Sequence, residues 1–90
     1  MHTYLETRSG LALEESVIQY LGTLLNEQLG PYECRYKGSL PDGPSRRRIS
    51  KTLTNILREI DGPSYRVFTE FSSYEIGAEK VVLVKAYVIS

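Results

Sequence analysis

Two segments of this chain place apolar residues at helical spacing, and each segment ends in a Gly-Pro step. Glycine readily adopts the left-handed conformation that ends a helix, and proline cannot continue one, so Gly30-Pro31 and Gly62-Pro63 mark helix ends. The sequence therefore predicts two amphipathic helices, over residues 13–29 and residues 45–60. The clearest apolar stripe belongs to the second helix and consists of Ile49, Leu53, Ile56, Leu57 and Ile60.

Between and after these helices the apolar period falls to two, which is the period of a strand. Residues 32–37 alternate tyrosine or cysteine with charged side chains, and residues 65–71 alternate in a similar way. Residues 80–89 are apolar on nearly both faces, so we expect them to form the most buried strand. Residues 72–79 are predicted to join the last two strands as a hairpin loop. Residues 3–7 are predicted to form a weaker first strand.

The resulting order is β-α-β-α-β-β, which predicts an α+β fold. We expect a two-layer sandwich with two helices packed on one face of a four-stranded mixed sheet that ends in a C-terminal β-hairpin. The 90 residues fit one small globular domain, residues 1–90. No apolar run reaches the roughly 20 residues of a membrane-spanning helix, so no membrane partner is expected. A single cysteine, Cys34, indicates a reducing compartment, and a cytoplasmic location is predicted.

The formal net charge is zero, with 11 Lys+Arg and 11 Asp+Glu, but the charges are unevenly distributed. Residues 1–34 sum to −4, residues 35–58 to +6 and residues 59–90 to −2. Overall neutrality argues against a general polyanion binder, whose domain is usually basic. It leaves open a local contact with an anion in the basic middle of the chain.

The most basic stretch lies at the predicted start of the second helix. Cations in a first helical turn oppose the helix dipole, so an anion is expected nearby. That anion could be a carboxylate of this chain, an acidic surface of a protein partner, or a nucleic-acid phosphate. The candidate anion-contacting residues are Arg46, Arg47, Arg48 and Lys51, with Arg35 and Lys37 from the preceding strand.

The seven tyrosines divide between core and surface. Those at apolar-stripe positions are predicted to pack in the core: Tyr20, Tyr32, Tyr36 and Tyr65. Tyr74 and Ile76 fall near the predicted hairpin tip, with Glu75 and Glu79 beside them, and are predicted to be apolar anchors for a partner because exposed aromatics are enriched at interfaces. The alternative is that they fold back over the sheet edge.

Residues suited to catalysis are few. The one histidine, His2, lies at the terminus, and Cys34 is expected to point into the core, so neither forms a nucleophile–base pair. The segment Gly38 to Ser45 spaces two glycines as a phosphate-binding loop does, but Pro44 stands where the lysine is required, so a turn is predicted. No catalytic residue, metal site or cofactor is expected.

The predicted element order resembles that of the Alba-type chromatin and RNA-binding fold and of the C-terminal domain of translation initiation factor three. Residues 47–51, Arg-Arg-Ile-Ser-Lys, are similar to the Alba segment that enters the corresponding helix. The resemblance implies nucleic-acid binding, with the cluster Arg46 to Arg48 on phosphates. The chain departs from that pattern in two places: residues 7–10 carry a single cation where those proteins carry a lysine-bearing loop, and the hairpin is acidic.

These patterns favour a small non-enzymatic protein-binding module, an adaptor, regulator or inhibitor that occupies an acidic surface of a protein partner. The alternative is an RNA- or DNA-binding protein of Alba-like topology. A homo-oligomer is a third hypothesis, because oppositely charged regions or an open sheet edge can join two copies of one chain.

Overall fold

The computed structural model describes residues 4–5 and 12–90. Its elements follow the order α1 (Leu13–Glu27), β1 (Glu33–Lys37), α2 (Gly43–Asp61), β2 (Arg66–Ile76) and β3 (Glu79–Ile89). Both helices lie on one face of the sheet, and the α+β class agrees with the prediction. Neither of these helices combines the length and apolar content that crossing a membrane requires.

The predicted four-stranded mixed sheet is wrong. The described residues form a three-stranded antiparallel sheet in the order β1-β3-β2. From the predicted strand 3–7, Leu5 makes one isolated parallel bridge to Tyr36, and its N–H donates to the Arg35 carbonyl at 2.7 Å. The structure also describes Tyr4, and residues 3, 6 and 7 lie outside the described residues. A strand of a sheet forms consecutive residue pairs, whereas this segment shows a single bridge among the described residues. Alternating residues in so short a segment do not distinguish a strand from an isolated bridge.

The helix boundaries differ from the prediction by two residues at one end of each helix. α1 ends at Glu27 because Gln28 (φ 57°), rather than the glycine, takes the left-handed position. α2 begins at Gly43 because Asp42 is its N-cap and accepts a hydrogen bond from the Ser45 N–H at 2.8 Å. That hydrogen bond lowers the pKa of the Asp42 carboxyl below its usual range. The predicted end of α2 at residue 60 is confirmed to within one residue, since Asp61 is the last helical residue and Gly62 follows it with φ 111°.

The C-terminal hairpin is longer than predicted. β2 and β3 pair continuously from Arg66↔Ile89 to Ile76↔Glu79, so most of the predicted loop 72–79 is strand. The turn consists of Gly77 and Ala78, and Gly77 has φ 64°, as a two-residue hairpin turn requires. Residues 72 and 73 are both serine, which made the segment resemble a loop, although alternating side chains can continue along an exposed strand.

The core lies between the helices and the inner face of the sheet. Its fully buried side chains include Leu21 of α1, Leu53 of α2, and Val82 and Val84 of β3. Tyr36 is buried as predicted, whereas Tyr20 is 42% exposed and not a core residue. The last three residues of β3, Tyr87, Val88 and Ile89, are exposed. β1 pairs only with the part of β3 between Val81 and Lys85 and does not extend beside them.

Cys34 is expected to resist thiol reagents while the chain is folded. The side chain is buried in the core, and burial raises the pKa of its thiol to about 12, so the reactive thiolate is scarce at neutral pH. Because the folded state holds this proton more tightly, its stability should fall as pH rises from about 9 toward about 12. Labelling with a maleimide at pH 7 should be slow in buffer and fast in concentrated urea. Equally fast labelling in both would contradict this burial.

Candidate functional site

Helix α2 lies along the outer edge of β2, one of the two edge strands of the sheet. The contact is made through backbone groups that point away from β3. Thr54 accepts a hydrogen bond from the Val67 N–H at 3.0 Å, and its hydroxyl donates to the Val67 carbonyl at 3.2 Å. Thr54 is buried, so a single side chain satisfies two buried backbone groups.

The helical turns on either side of Thr54 make matching contacts. Arg58 donates from Nε to the Tyr65 carbonyl at 2.9 Å, and the Ser50 and Thr69 hydroxyls hydrogen-bond to each other. Because positions 50, 54 and 58 are one turn apart, one stripe of α2 follows β2 over residues 65–69. This stripe covers that part of the sheet edge and places the cationic residues of α2 beside it.

A groove of about 550 Å³ runs along this seam between α2 and β2. Five cationic residues line it, and no carboxylate of the described residues does so. We call it the basic groove and define it by Arg46, Arg47, Lys51, Arg58 and Arg66. Its apolar lining comes from Val67, Phe68 and Phe71 of β2. The groove thus combines positive charges with apolar contact surface.

No cation of the basic groove takes part in an ion pair among residues 4–5 and 12–90. Arg46 donates from Nε to the Pro41 carbonyl at 2.8 Å, and its guanidinium carbon lies 5.9 Å from the centre of the Phe71 ring. Contacts of this kind with a neutral carbonyl and a ring orient a guanidinium and leave its charge without a counter-ion. An incoming anion would therefore meet an Arg46 guanidinium that is already positioned.

Arg48 belongs to a different surface from its neighbours Arg46 and Arg47. It binds Glu14 of α1 through two contacts, Nε to Oε1 at 3.1 Å and Nη2 to Oε2 at 3.3 Å. The hydrogen bond to Glu14 raises the pKa of Arg48. Of the three consecutive arginines, Arg48 is therefore paired within the described chain, whereas Arg46 and Arg47 form no ion pair there.

The two strand cations proposed as site residues lie on the outer face, the sheet face away from the helices. Arg35 donates from Nε to the Tyr74 hydroxyl at 3.1 Å, and Lys37 pairs with Glu79 at 3.1 Å. Tyr74 is half-buried in β2, and Ile76 is 45% exposed at the last position of β2. The structure therefore separates Arg35, Lys37 and Tyr74 from the basic groove.

Two groove residues were absent from the sequence prediction. Arg58 follows Arg47 and Lys51 at helical spacing (i, i+4, i+11), so the period of the polar side of the helix could have identified it. Nothing in the sequence around Arg66 indicates a groove residue, because its position beside α2 depends on the fact that β2 is an edge strand.

The groove is lined by cationic and apolar side chains. In the part of the chain that the structure describes, no group of three or more His, Cys, Asp or Glu residues could hold a metal ion. Comparisons with protein-family models, with curated proteins and with solved structures found no match. The residues of the groove are therefore the basis for a functional proposal.

Proposed function

We propose that this chain is a small non-enzymatic protein-binding module whose basic groove binds an acidic, extended segment of a partner protein. The observation that carries the proposal is the set of five groove cations without an ion-pair partner or a lining carboxylate among the described residues. Four of the five are arginines, whose planar guanidinium groups bind carboxylates through paired hydrogen bonds. Such a module would act as an adaptor, regulator or inhibitor by occupying the partner's acidic segment.

The apolar lining favours a peptide that mixes two kinds of side chain. An extended segment directs alternate side chains to opposite sides. Acidic residues on one side can contact Arg47 and Lys51, while apolar residues on the other pack against Phe68. The free, buried thiol of Cys34 supports a reducing compartment, and we place this interaction in the cytoplasm.

One observation favours nucleic acid as a second candidate ligand. Phe68 lines the groove, is 55% exposed and lies on the same strand face as Arg66, so a base could stack on its ring. Glu70 follows on that face and would repel the adjoining phosphates. The zero net charge also favours the acidic peptide over a polyanion.

The test is a double substitution in the groove, Arg47→Ser with Lys51→Ser, because neither side chain makes a hydrogen bond to another described residue. The probe is a fluorescent peptide of alternating glutamate and leucine, followed by anisotropy. Exposed ion pairs contribute about 0.2–1 kcal/mol each, so we expect binding at low salt to weaken about fivefold to tenfold. The affinity of the unsubstituted chain should fall as salt is added.

The matched control is Arg48→Ser with Lys80→Ser, which removes the same charge outside the groove. Its binding should stay within about twofold of the unsubstituted chain, since only long-range attraction changes. Equal losses in the two variants would show that net charge, and not the groove, holds the peptide. Tighter binding of a poly-uridine RNA, lost on the same groove substitution, would support the second candidate instead.

A further inference from the structure

The outer edge of β2 has backbone groups that α2 does not cover. The Val67 N–H and carbonyl both face Thr54, away from β3. β2 pairs with β3 without a bulge, and in an antiparallel ladder this outward orientation repeats at every second residue. The N–H and carbonyl groups of Phe71, Ser73 and Glu75 therefore also point outward. We call these three residues the free edge segment.

The free edge segment is a usable template for strand pairing. The hydrogen bonds from α2 to this edge end at Thr69, and beyond it Arg46 contacts the side chain of Phe71 but not its backbone groups. Among the described residues, no hydrogen bond joins the outward backbone groups of the segment to another element. Natural edge strands are protected by proline, by a bulge or by charged side chains; residues 70–76 have no proline, lysine or bulge, and their charged residues are Glu70 and Glu75.

We propose that two copies of this chain pair antiparallel through their free edge segments and form a two-fold symmetric dimer. Ser73 is the middle residue of the segment and lies on the symmetry axis, opposite Ser73 of the second copy. Phe71 then lies opposite Glu75 of the second copy, and the reverse pair follows by symmetry. Each of these residue pairs exchanges two backbone hydrogen bonds, and the two sheets become one continuous sheet.

Charge complementarity selects a second copy as the occupant. The Arg46 guanidinium lies 5.9 Å from the Phe71 ring and has no ion-pair partner among the described residues. In this register, Glu75 of the second copy is directly opposite Phe71 on the same sheet face, with Cα atoms about 5.5 Å apart. Its carboxylate would meet Arg46, and symmetry provides this ion pair twice. The acidic hairpin and the basic start of α2 thus complement each other between copies.

A charge-swap experiment tests the contact between Arg46 and Glu75. Arg46→Glu and Glu75→Arg each place like charges together, so each should weaken dimerisation at least about tenfold in sedimentation velocity. The double variant should recover most of that loss. The control is Arg47→Glu, which removes a groove cation away from the symmetry axis and should leave the dimer intact even if it abolishes peptide binding. Failure of the double variant to recover would overturn this register.

Cysteine cross-linking tests the symmetry axis separately. Ser73→Cys should form an intermolecular disulfide on mild oxidation, because the paired Cα separation of about 5.5 Å is within the range for a disulfide. Ser72→Cys is the matched control, since the neighbouring serine is also exposed but lies off the axis and should cross-link poorly. Cys34 is buried and should not contribute. A chain that stays monomeric at high concentration, or equal cross-linking of both variants, would overturn the dimer.

Discussion

Replacing Leu53 with alanine is expected to destabilise the fold by about 2–5 kcal/mol. Leu53 is fully buried on α2, within the core cluster that includes Val82 and Val84 of β3. Truncation removes apolar contacts and leaves a cavity that the neighbouring side chains cannot fill completely. A small single-domain protein is stable by about 5–15 kcal/mol, so a large part of that stability would be lost. The measurement is the midpoint of urea unfolding followed by circular dichroism.

Leu29→Ala is the matched control because it deletes the same atoms from a side chain that is 54% exposed. Its effect should stay within about 0.5 kcal/mol, as for surface substitutions in general. The packing described for the core would be contradicted if the two variants had equal unfolding midpoints, or if Leu53→Ala cost less than about 1 kcal/mol.

Replacing Thr54 with valine is expected to cost about 2–4 kcal/mol, although the two side chains have nearly the same shape. The substitution leaves the Val67 N–H and carbonyl without their hydrogen-bond partner, and Val67 is buried. An unsatisfied buried backbone group costs about 1–3 kcal/mol. The same seam positions the cations of the basic groove, so the variant should also bind the glutamate–leucine peptide less tightly.

Two controls isolate the hydroxyl. Thr54→Ser keeps the oxygen and should retain most of the stability, with a loss of about 1 kcal/mol for the missing methyl group. Thr23→Val removes an exposed hydroxyl that bonds to the Gln19 carbonyl within α1, and its effect should be small. If Thr54→Ser proved as destabilising as Thr54→Val, the loss would come from side-chain packing and not from the hydrogen bonds to Val67.

The sequence predicted those parts of the fold that depend on local spacing. Helical periodicity identified both helices and the core positions Ile49 and Leu53, because a helix brings together residues only three and four positions apart. Strand order depends on pairing between distant segments, so the place of β3 between β1 and β2 had no local signal. The same limit applies to Arg66, which reaches the groove only because β2 is at the edge.

The candidate site was predicted in part for the same physical reason. Adjacent residues on a helix point about 100° apart, so a run of three arginines cannot face one ligand. Arg48 turns toward Glu14 of α1, while Arg47 turns toward β2 with Lys51 and Arg58. The helical period of the charged residues therefore distinguishes these two sides of α2, whereas the number of charges in the segment does not. The separation of Arg35 from the groove required knowledge of which sheet face the helices cover.

The most direct test of the basic groove is an NMR titration of ¹⁵N-labelled chain with the glutamate–leucine peptide at low salt. We expect the largest amide shifts at residues lining the groove, Ser50, Asn55, Phe68 and Thr69. These shifts should disappear in the variant carrying Arg47→Ser and Lys51→Ser. Shifts that centre on the outer face around Arg35, or that persist unchanged in the variant, would contradict the claim that the groove is the binding site.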